Sequence, residues 1–561
     1  MTLGLARRHD DLLDPVAAFC DREVGGDSVY GLLRRERDRL FPDEMFADLY
    51  ERSGRRSVPP SVLACVLVMQ RLEGLSDREA VDRFTYDARW RYACGVGGWD
   101  TGWTSFDHSV LVRFRMRLEK SVAPRRIFEV STAVAAEAGL IGIKRVLDSA
   151  PLFDAVATQD TVTLIRCAIR GLLRSADPTL GAALRAVLSG EDDYAGAGKP
   201  VCDWDDAGAR AAVVDRLARD GLALLAVLEG RQLTSKMVEA AELVGLVIGQ
   251  DLEQGDDGTF KIVRKVAKDR IISTVDRDAR HGHKTSARRF DGYKGHIAAD
   301  PDSEIVTDTA VGPANGGDGH MTDQLTRDLD HDSNTDDASE TDDAETTSDT
   351  ETEAVNDTNG TGQSGPHSDE NSENSEQPAV YGDAAYGSGD NLASLERRGI
   401  EANTKVQPPA SRGGRFTKDD FDIDLEQNTV SCPGGHTVPV RRNDDGDGVA
   451  RFGGRCRGCP LRGQCTTAKA GRAITVSRHQ RLLAAARTRQ QDPDWRADYR
   501  ATRPKVERKL AHMLRPGRHA RRRGRSKVDA DWNYIAAAVN YARMARLGLR
   551  NIGGSWHIAP A

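Results

Sequence analysis

Apolar and polar positions fall into blocks that switch between helical and strand spacing. Residues 1 to about 125 keep helical spacing. Val62 to Glu73 is apolar and follows Pro59-Pro60, a pair suited to a first helical turn, and Gly74 can end the helix. Ser76 to Glu79 then has capping-box spacing, in which each side chain serves the other's backbone amide. Two helices joined by so short a turn predict a helix-turn-helix-like pair. A third helix over His108 to Lys120 carries Arg113, Arg115 and Arg117. The pattern therefore predicts an all-helical unit whose basic face either contacts DNA or is simply solvated.

Beyond this unit the period changes. Ile141, Ile143, Val146 and Leu147 predict a buried strand ending at Asp148. Residues 151 to about 250 return to helical spacing over Leu180 to Leu188, Ala211 to Leu228 and Met237 to Leu246. Tyr293 to Ala299 and Ile305 to Val311 predict a hairpin, with Asp300 to Ser303 as its turn. Asp328 to Pro378 is almost devoid of apolar residues and cannot offset its ordering entropy, so it reads as a disordered acidic insertion. Strand pattern resumes at Ala379 to Gly382 and delivers Asp383. A helix over Asn391 to Arg398 and a strand over Ile400 to Val406 follow; 407 to 470 reads as irregular, and helical spacing returns from about Ser477. The reading is an α/β core in pieces: 140–327 with a helical insertion at 151–250, then 379–406, a cysteine-bearing insertion at 407–470, and a helical end at 477–550. The helical unit at 1–125 precedes it.

Composition bears on partners. A chain of 561 residues is expected to form several units. Its longest apolar runs, Val62 to Met69 and Tyr534 to Val539, are too short to cross a bilayer. The start MTLGLARRHDDLLDP lacks the apolar core of a signal peptide, so a soluble cytoplasmic protein with no membrane partner is expected. Net charge is −7, but the charges are segregated. Residues 328 to 378 hold 17 acids and no Lys or Arg; without them 79 basic residues face 69 acidic ones (86 less 17). Arg500 to Lys527 holds 12 basic residues, with Glu507 its only acid. This asymmetry predicts a nucleic-acid-facing surface beside an acidic tether. Candidate phosphate contacts are Lys505, Arg508, Lys509, Arg518, Arg521, Arg522, Arg523, Arg525 and Lys527, and such contacts are salt-dependent and blind to sequence.

Three carboxylates have contexts that would let them converge. Asp148 and Asp383 each follow a short strand, and Glu507 lies on a helix in Tyr499-Arg-Ala-Thr-Arg-Pro-Lys-Val-Glu. Two divalent cations held by such a set can act on both oxygens of an in-line phosphoryl displacement, and Mg²⁺ favours carboxylate oxygen. Pro504 is best tolerated near a helix start, which places Glu507 in the early turns. The plainer readings are an Asp that ends a strand as a turn residue and a surface Arg503–Glu507 pair at helical spacing.

Nine cysteines, an odd number, argue against a disulfide framework. Cys432, Cys456, Cys459 and Cys465 crowd into one stretch with a Cys-x2-Cys centre, which suits either a closed structural Zn²⁺ site or a set of reduced thiols. His436 beside them reads as a surface residue. His281, His283 and His296 read as polar turn residues in preference to metal ligands.

The segments RVLDSAPL, STVDRDARHGHKTSARRFDGYKGHIAADPDSEIV, VYGDAAYGSGDNL and YRATRPKVERKLAHMLRPGRHARRRGRSKV together resemble prokaryotic insertion-sequence transposases of the DDE class. Within that class the resemblance is to the branch with an N-terminal helical domain and a cysteine-bearing insertion before the final helix. It covers nearly all of the chain except the acidic segment. It implies a ribonuclease H-like catalytic core with helical and Cys-rich insertions, and Mg²⁺ or Mn²⁺ as cofactor. It also implies metal-dependent cleavage at the ends of the element and strand transfer into target DNA. On that resemblance Asp148, Asp383 and Glu507 are the three catalytic, metal-binding acids, and Tyr499, Arg503 and Glu507 match a Tyr–Arg–Glu signature. The partners implied are double-stranded DNA, as element ends and target, and a second copy of the chain. Two departures stand out: Leu514 occupies a position where many related transposases place Lys, leaving Lys509 or Arg515 nearest, and the acidic insertion lengthens the core. A nuclease that only cuts, or a decayed transposase that only binds DNA, remains open.

Overall fold

The computed structural model describes residues 1–6, 14–99, 105–196, 198–285, 288–330, 377–411 and 413–559. Most of the predicted acidic insertion, 331–376, lies outside the described residues.

The N-terminal start and stop signals operate as the side chains dictate. Helix α1 (Pro60–Glu73) ends at Gly74, whose φ of 72° is left-handed. Helix α2 (Asp77–Tyr86) opens with both arms of the Ser76–Glu79 capping box. Helix α3 spans Ser109–Lys120. Val62 to Met69 are at most 1% exposed, so α1 is buried all round and not along one stripe. Much of what covers it comes from the far end of the chain. Two long helices, α4 (Pro493–Met513) and α5 (Arg525–Arg546), close the fold, and α5 packs directly on α1. A single apolar core runs from Leu32 and Val66 through Trp532 and Tyr541 to Val146 and Ile297. The expected boundary near residue 125 is therefore no break in packing.

The central sheet is mixed. Its strands β1 (Lys144–Phe153), β2 (Arg288–Ala299), β3 (Val306–Pro313), β4 (Ala379–Gly382) and β5 (Glu401–Thr404) lie in the order β3-β2-β1-β4-β5. A further strand, Arg280–Thr285, which the apolar pattern did not announce, pairs with the start of β2. β2 is antiparallel to β1 and to β3, as the hairpin required, whereas β4 and β5 run parallel to β1. This mixed α/β arrangement is consistent with a ribonuclease H-like core. β1 does not stop at Asp148; it continues to Phe153, because residues 148 to 153 keep pairing with β2.

Two further stretches of chain have cores of their own. Helices Thr161–Ser175, Pro178–Ala186, Ala207–Leu228 and Ser235–Asp251 gather around Leu164, Leu217 and Val244. The stretch read as irregular is instead an antiparallel meander of five short strands, Asp422–Asp424, Thr429–Ser431, Thr437–Arg442, Gly448–Arg451 and Ala473–Val476. Strands of three to six residues carry too few alternations to be read from period alone. Among the described residues no helix is long and apolar enough to cross a membrane.

Candidate active site

Asp148 and Asp383 are brought together by strand register. The last parallel pair between β1 and β4 is Val146 with Tyr381. Each aspartate lies two residues further along its own chain direction, Asp148 still within β1 and Asp383 just past β4, so both stand at one level on neighbouring strands spaced about 4.8 Å apart. The Asp383 carboxylate also accepts from the Ala385 amide at 2.9 Å, which orients it in the turn after β4.

Helix α4 crosses the ends of these strands. It starts at Pro493 with Asp492 as N-cap, and Pro504 lies well inside it, so Glu507 is deep in the helix and not in its early turns. An interior proline removes one backbone donor. Pro504 and Arg500, whose carbonyl loses its partner, both face solvent, where water can replace that bond. Three side-chain hydrogen bonds dock the helix. Trp495 Nε1 donates to Asn403 Oδ1 at 2.8 Å, Tyr381 OH donates to Asp498 Oδ2 at 2.7 Å, and Tyr499 OH donates to the Gly382 carbonyl at 3.0 Å. Tyr499 also stacks on Trp495 and lies under the Lys405 ammonium.

Tyr499, Arg503 and Glu507 follow at one-turn intervals on the face turned to the strands. Arg503 Nη2 is 2.9 Å from Asp148 Oδ1, and its Nη1 is 3.7 Å from Glu507 Oε1. The side chains of Arg503 and Asp148 are 9% and 15% exposed, while that of Glu507 is 61% exposed. Burial holds the Asp148 carboxyl above its ordinary range against the pull of Arg503, and the charge of Asp383 adds to the rise. Burial works against the Arg503 cation, yet Asp148, Tyr499 and Asp383 keep it above its ordinary value. Glu507 thus reaches Asp148 only through a guanidinium. Among the described residues, no three His, Cys, Asp or Glu side chains stand grouped closely enough to hold a metal ion.

A polar group close to this pair was not singled out in the sequence. Ser149, next to Asp148, donates to Asp318 Oδ2 at 2.6 Å, and Lys294 Nζ binds Asp318 Oδ1 at 2.7 Å and the Gly316 carbonyl at 2.8 Å. His296 is 1% exposed and its Nδ1 lies 3.5 Å from the hydroxyl of fully buried Tyr386. Burial lowers the His296 pKa to about 4, so the ring is neutral and belongs to the sheet, not to a turn. Asp318 opens a single 3-10 turn, Asp318–Met321, in a Gly-rich stretch with no periodicity, which is why only its partners reveal it.

The basic residues divide by environment. Arg521 donates to the carbonyls of Gly74 and Leu75, and Arg522 pairs with Glu119, so both tie the basic segment to the N-terminal helices. Lys509 is buried, 3% exposed, and so is not placed to touch a backbone phosphate; burial lowers its pKa to about 8. Lys505 and Arg508 pair with Asp302 and Glu304 of the hairpin turn. Arg518, Arg523, Arg525 and Lys527 are exposed and make no ion pair among the described residues. On α3, Arg115 is buried against Asp77 at 2.6 Å, leaving Arg113 exposed and Arg117 half-buried.

The four clustered cysteines converge at one end of the small sheet. Cys432, Cys456, Cys459 and Cys465 all line one cavity of about 20 Å³, and all are free thiols. His436 lines it too.

Comparison with known families gives three matches. Residues 27–117 match a family described as "Transposase domain (DUF772)", and residues 256–340 and 431–545 match two families each described as "Transposase DDE domain". Glu507 lies within the last match; Asp148 and Asp383 lie outside all three. Comparison with curated proteins and with solved structures gives no match.

Proposed function

Since the chain belongs to the DDE transposases of insertion sequences, we propose that it cuts at the ends of its own element and joins the freed ends to target DNA, using Asp148, Asp383 and Glu507. The observation that carries this reading is that Asp148 and Asp383 each lie two residues beyond the paired Val146 and Tyr381 of adjacent parallel strands, with Arg503 of α4 reaching both Asp148 and Glu507.

In the first step a water oxygen bonds to phosphorus and the element's 3′ oxygen leaves, taking up a proton. In the second the freed 3′-OH attacks a target phosphodiester and displaces its 3′ oxygen. The three carboxylates offer hard oxygen donors of the kind Mg²⁺ or Mn²⁺ takes, and that cation would supply the positive charge that activates the nucleophile and stabilises the leaving oxygen. Arg503 engages both oxygens of Asp148, at 2.9 and 3.3 Å, so holding a cation would require Asp148 to release that guanidinium and Glu507 to turn its exposed side chain in beside Asp383. Arg503 opposes the upward push of burial on Asp148 and keeps its carboxylate aimed. Tyr499 locks α4 to the end of β4, so that the Glu507 backbone is held over the strands. Arg518, Arg523, Arg525 and Lys527 present free cations to the DNA backbone, and pairing two element ends calls for two copies of the chain.

The test is strand transfer by wild type and Glu507→Gln on a labelled duplex bearing the element's end, with Mg²⁺ and a supercoiled target. Joined product from wild type alone, with DNA binding retained in the variant, supports the proposal. Equal joining by both would remove Glu507 from the catalytic set. Nicks without joining would make the protein a nuclease, and gel shifts without cleavage a DNA binder.

A further inference from the structure

We propose that Cys432, Cys456, Cys459 and Cys465 form a structural Zn²⁺ site that staples the small β-sheet, separate from the carboxylates on β1, β4 and α4. The four residues come from three places: the turn after Thr429–Ser431, the turn around Gly453 to Cys459, and the short helix Arg462–Cys465. All four nevertheless line one small cavity of about 20 Å³, room enough for an ion or a water.

The backbone around the sulfurs is shaped to let them approach. A Cβ at Gly434 would stand 3.2 Å from Cys459 Sγ and 3.7 Å from Cys432 Sγ, so these two sulfurs share one glycine between them. A Cβ at Gly471 would stand 3.2 Å from Cys456 Sγ and 2.6 Å from the Gly453 carbonyl, and Gly471 has a φ of +84°. The Arg472 amide donates to Cys456 Sγ at 3.4 Å, a bond that favours the thiolate. As placed, no three of the thiols stand grouped closely enough to hold a metal ion. A bound ion would draw them inward across a cavity they already line, from positions in which nothing else crosslinks them.

The sheet needs such a crosslink. Its apolar core is nine side chains, among them Val430, Val440, Phe452 and Val476, and Cys465 is one of the nine. A core of that size seldom secures a unit of this length unaided, and natural small domains add disulfides or a metal. Four thiolates would complete a tetrahedron around Zn²⁺ with no open position, so the site is structural and takes no part in phosphoryl transfer.

The test uses full-length protein purified without chelator. About one zinc per chain is expected, released in step with a thiol-modifying reagent and unaffected by Glu507→Gln. Cys456→Ser/Cys459→Ser should lose the zinc. Co²⁺ in place of Zn²⁺ should give the intense thiolate charge-transfer absorption of a four-sulfur site. Cys465→His, a variant that keeps a ligand, should retain metal with that absorption weakened, and so guards against loss by misfolding alone. Protein that carries no zinc after growth with added zinc, shows no charge-transfer band with Co²⁺ and titrates nine free thiols would overturn the proposal.

Discussion

Arg71 and Asp531 join the two ends of the chain, and breaking them apart should show how far those ends fold as one. Arg71 lies on α1 and Asp531 on α5, with Nη2 and Oδ1 2.9 Å apart and side chains 5% and 10% exposed. Burial works to lower the Arg71 pKa; Asp531 opposes it, while the Arg115 and Arg521 cations add to the lowering. In Asp531→Leu the guanidinium keeps its buried place but faces those two cations without its counter-ion. Losing one partner of a buried pair costs about 3–5 kcal/mol. With roughly 2–4 °C per kcal/mol for a large cooperative unit, the melting temperature should fall by roughly 6–20 °C. Arg71→Met/Asp531→Leu removes both charges and leaves apolar surface, so it should recover most of the loss, since buried pairs replaced together are often neutral or better. Differential scanning calorimetry of wild type, both single variants and the double variant gives the comparison. A fall below about 2 °C for Asp531→Leu, or a double variant no better than the single ones, would refute the claim that this pair is a desolvated joint between the N-terminal helices and α5.

Two further outcomes follow from the charges. His296 has a folded pKa of about 4 against 6.5 ordinarily, so between those values the unfolded chain binds the proton that the fold refuses. Its contribution is complete above pH 6.5 and is lost as pH falls toward 4, about 3 kcal/mol in all; His296→Gln should flatten the wild-type loss of stability across that window in denaturant titrations, and an unchanged slope would place the ring in contact with water. For DNA, Arg523→Gln/Arg525→Gln/Lys527→Gln should make the slope of log K against log salt shallower by about 0.9 for each phosphate contact removed. Arg521→Gln/Arg522→Gln should instead lower stability, because those side chains hold Gly74, Leu75 and Glu119. Equal effects of the two sets on the salt slope would erase that division.

Much of this protein was legible in one dimension because the signals are local. A capping box, a helix-ending glycine, a turn of Asp300 to Ser303 between two strand patterns and an acidic strand end are each settled by a few neighbouring side chains, and α1, α2, β2, β3 and β4 formed where those signals stand. The family, too, could be read from motif order. What the chain could not disclose is whatever depends on partners distant in sequence. β1 runs past Asp148 because β2, almost 150 residues on, continues to pair with it. Pro504 sits inside α4 because that helix is docked at Gly382, Asn403 and Tyr381, and the docking outweighs one lost backbone bond. Arg115, Lys509, Arg521 and Arg522 read as DNA-facing cations, since charge alone does not reveal burial or partners; packing buries Arg115 and Lys509, and the N-terminal helices engage Arg521 and Arg522. Register between parallel strands placed Asp383 beside Asp148, and a helix turn of α4 set Arg503 between Asp148 and Glu507. Local side-chain chemistry determined the elements and the candidates; long-range pairing decided which of them meet.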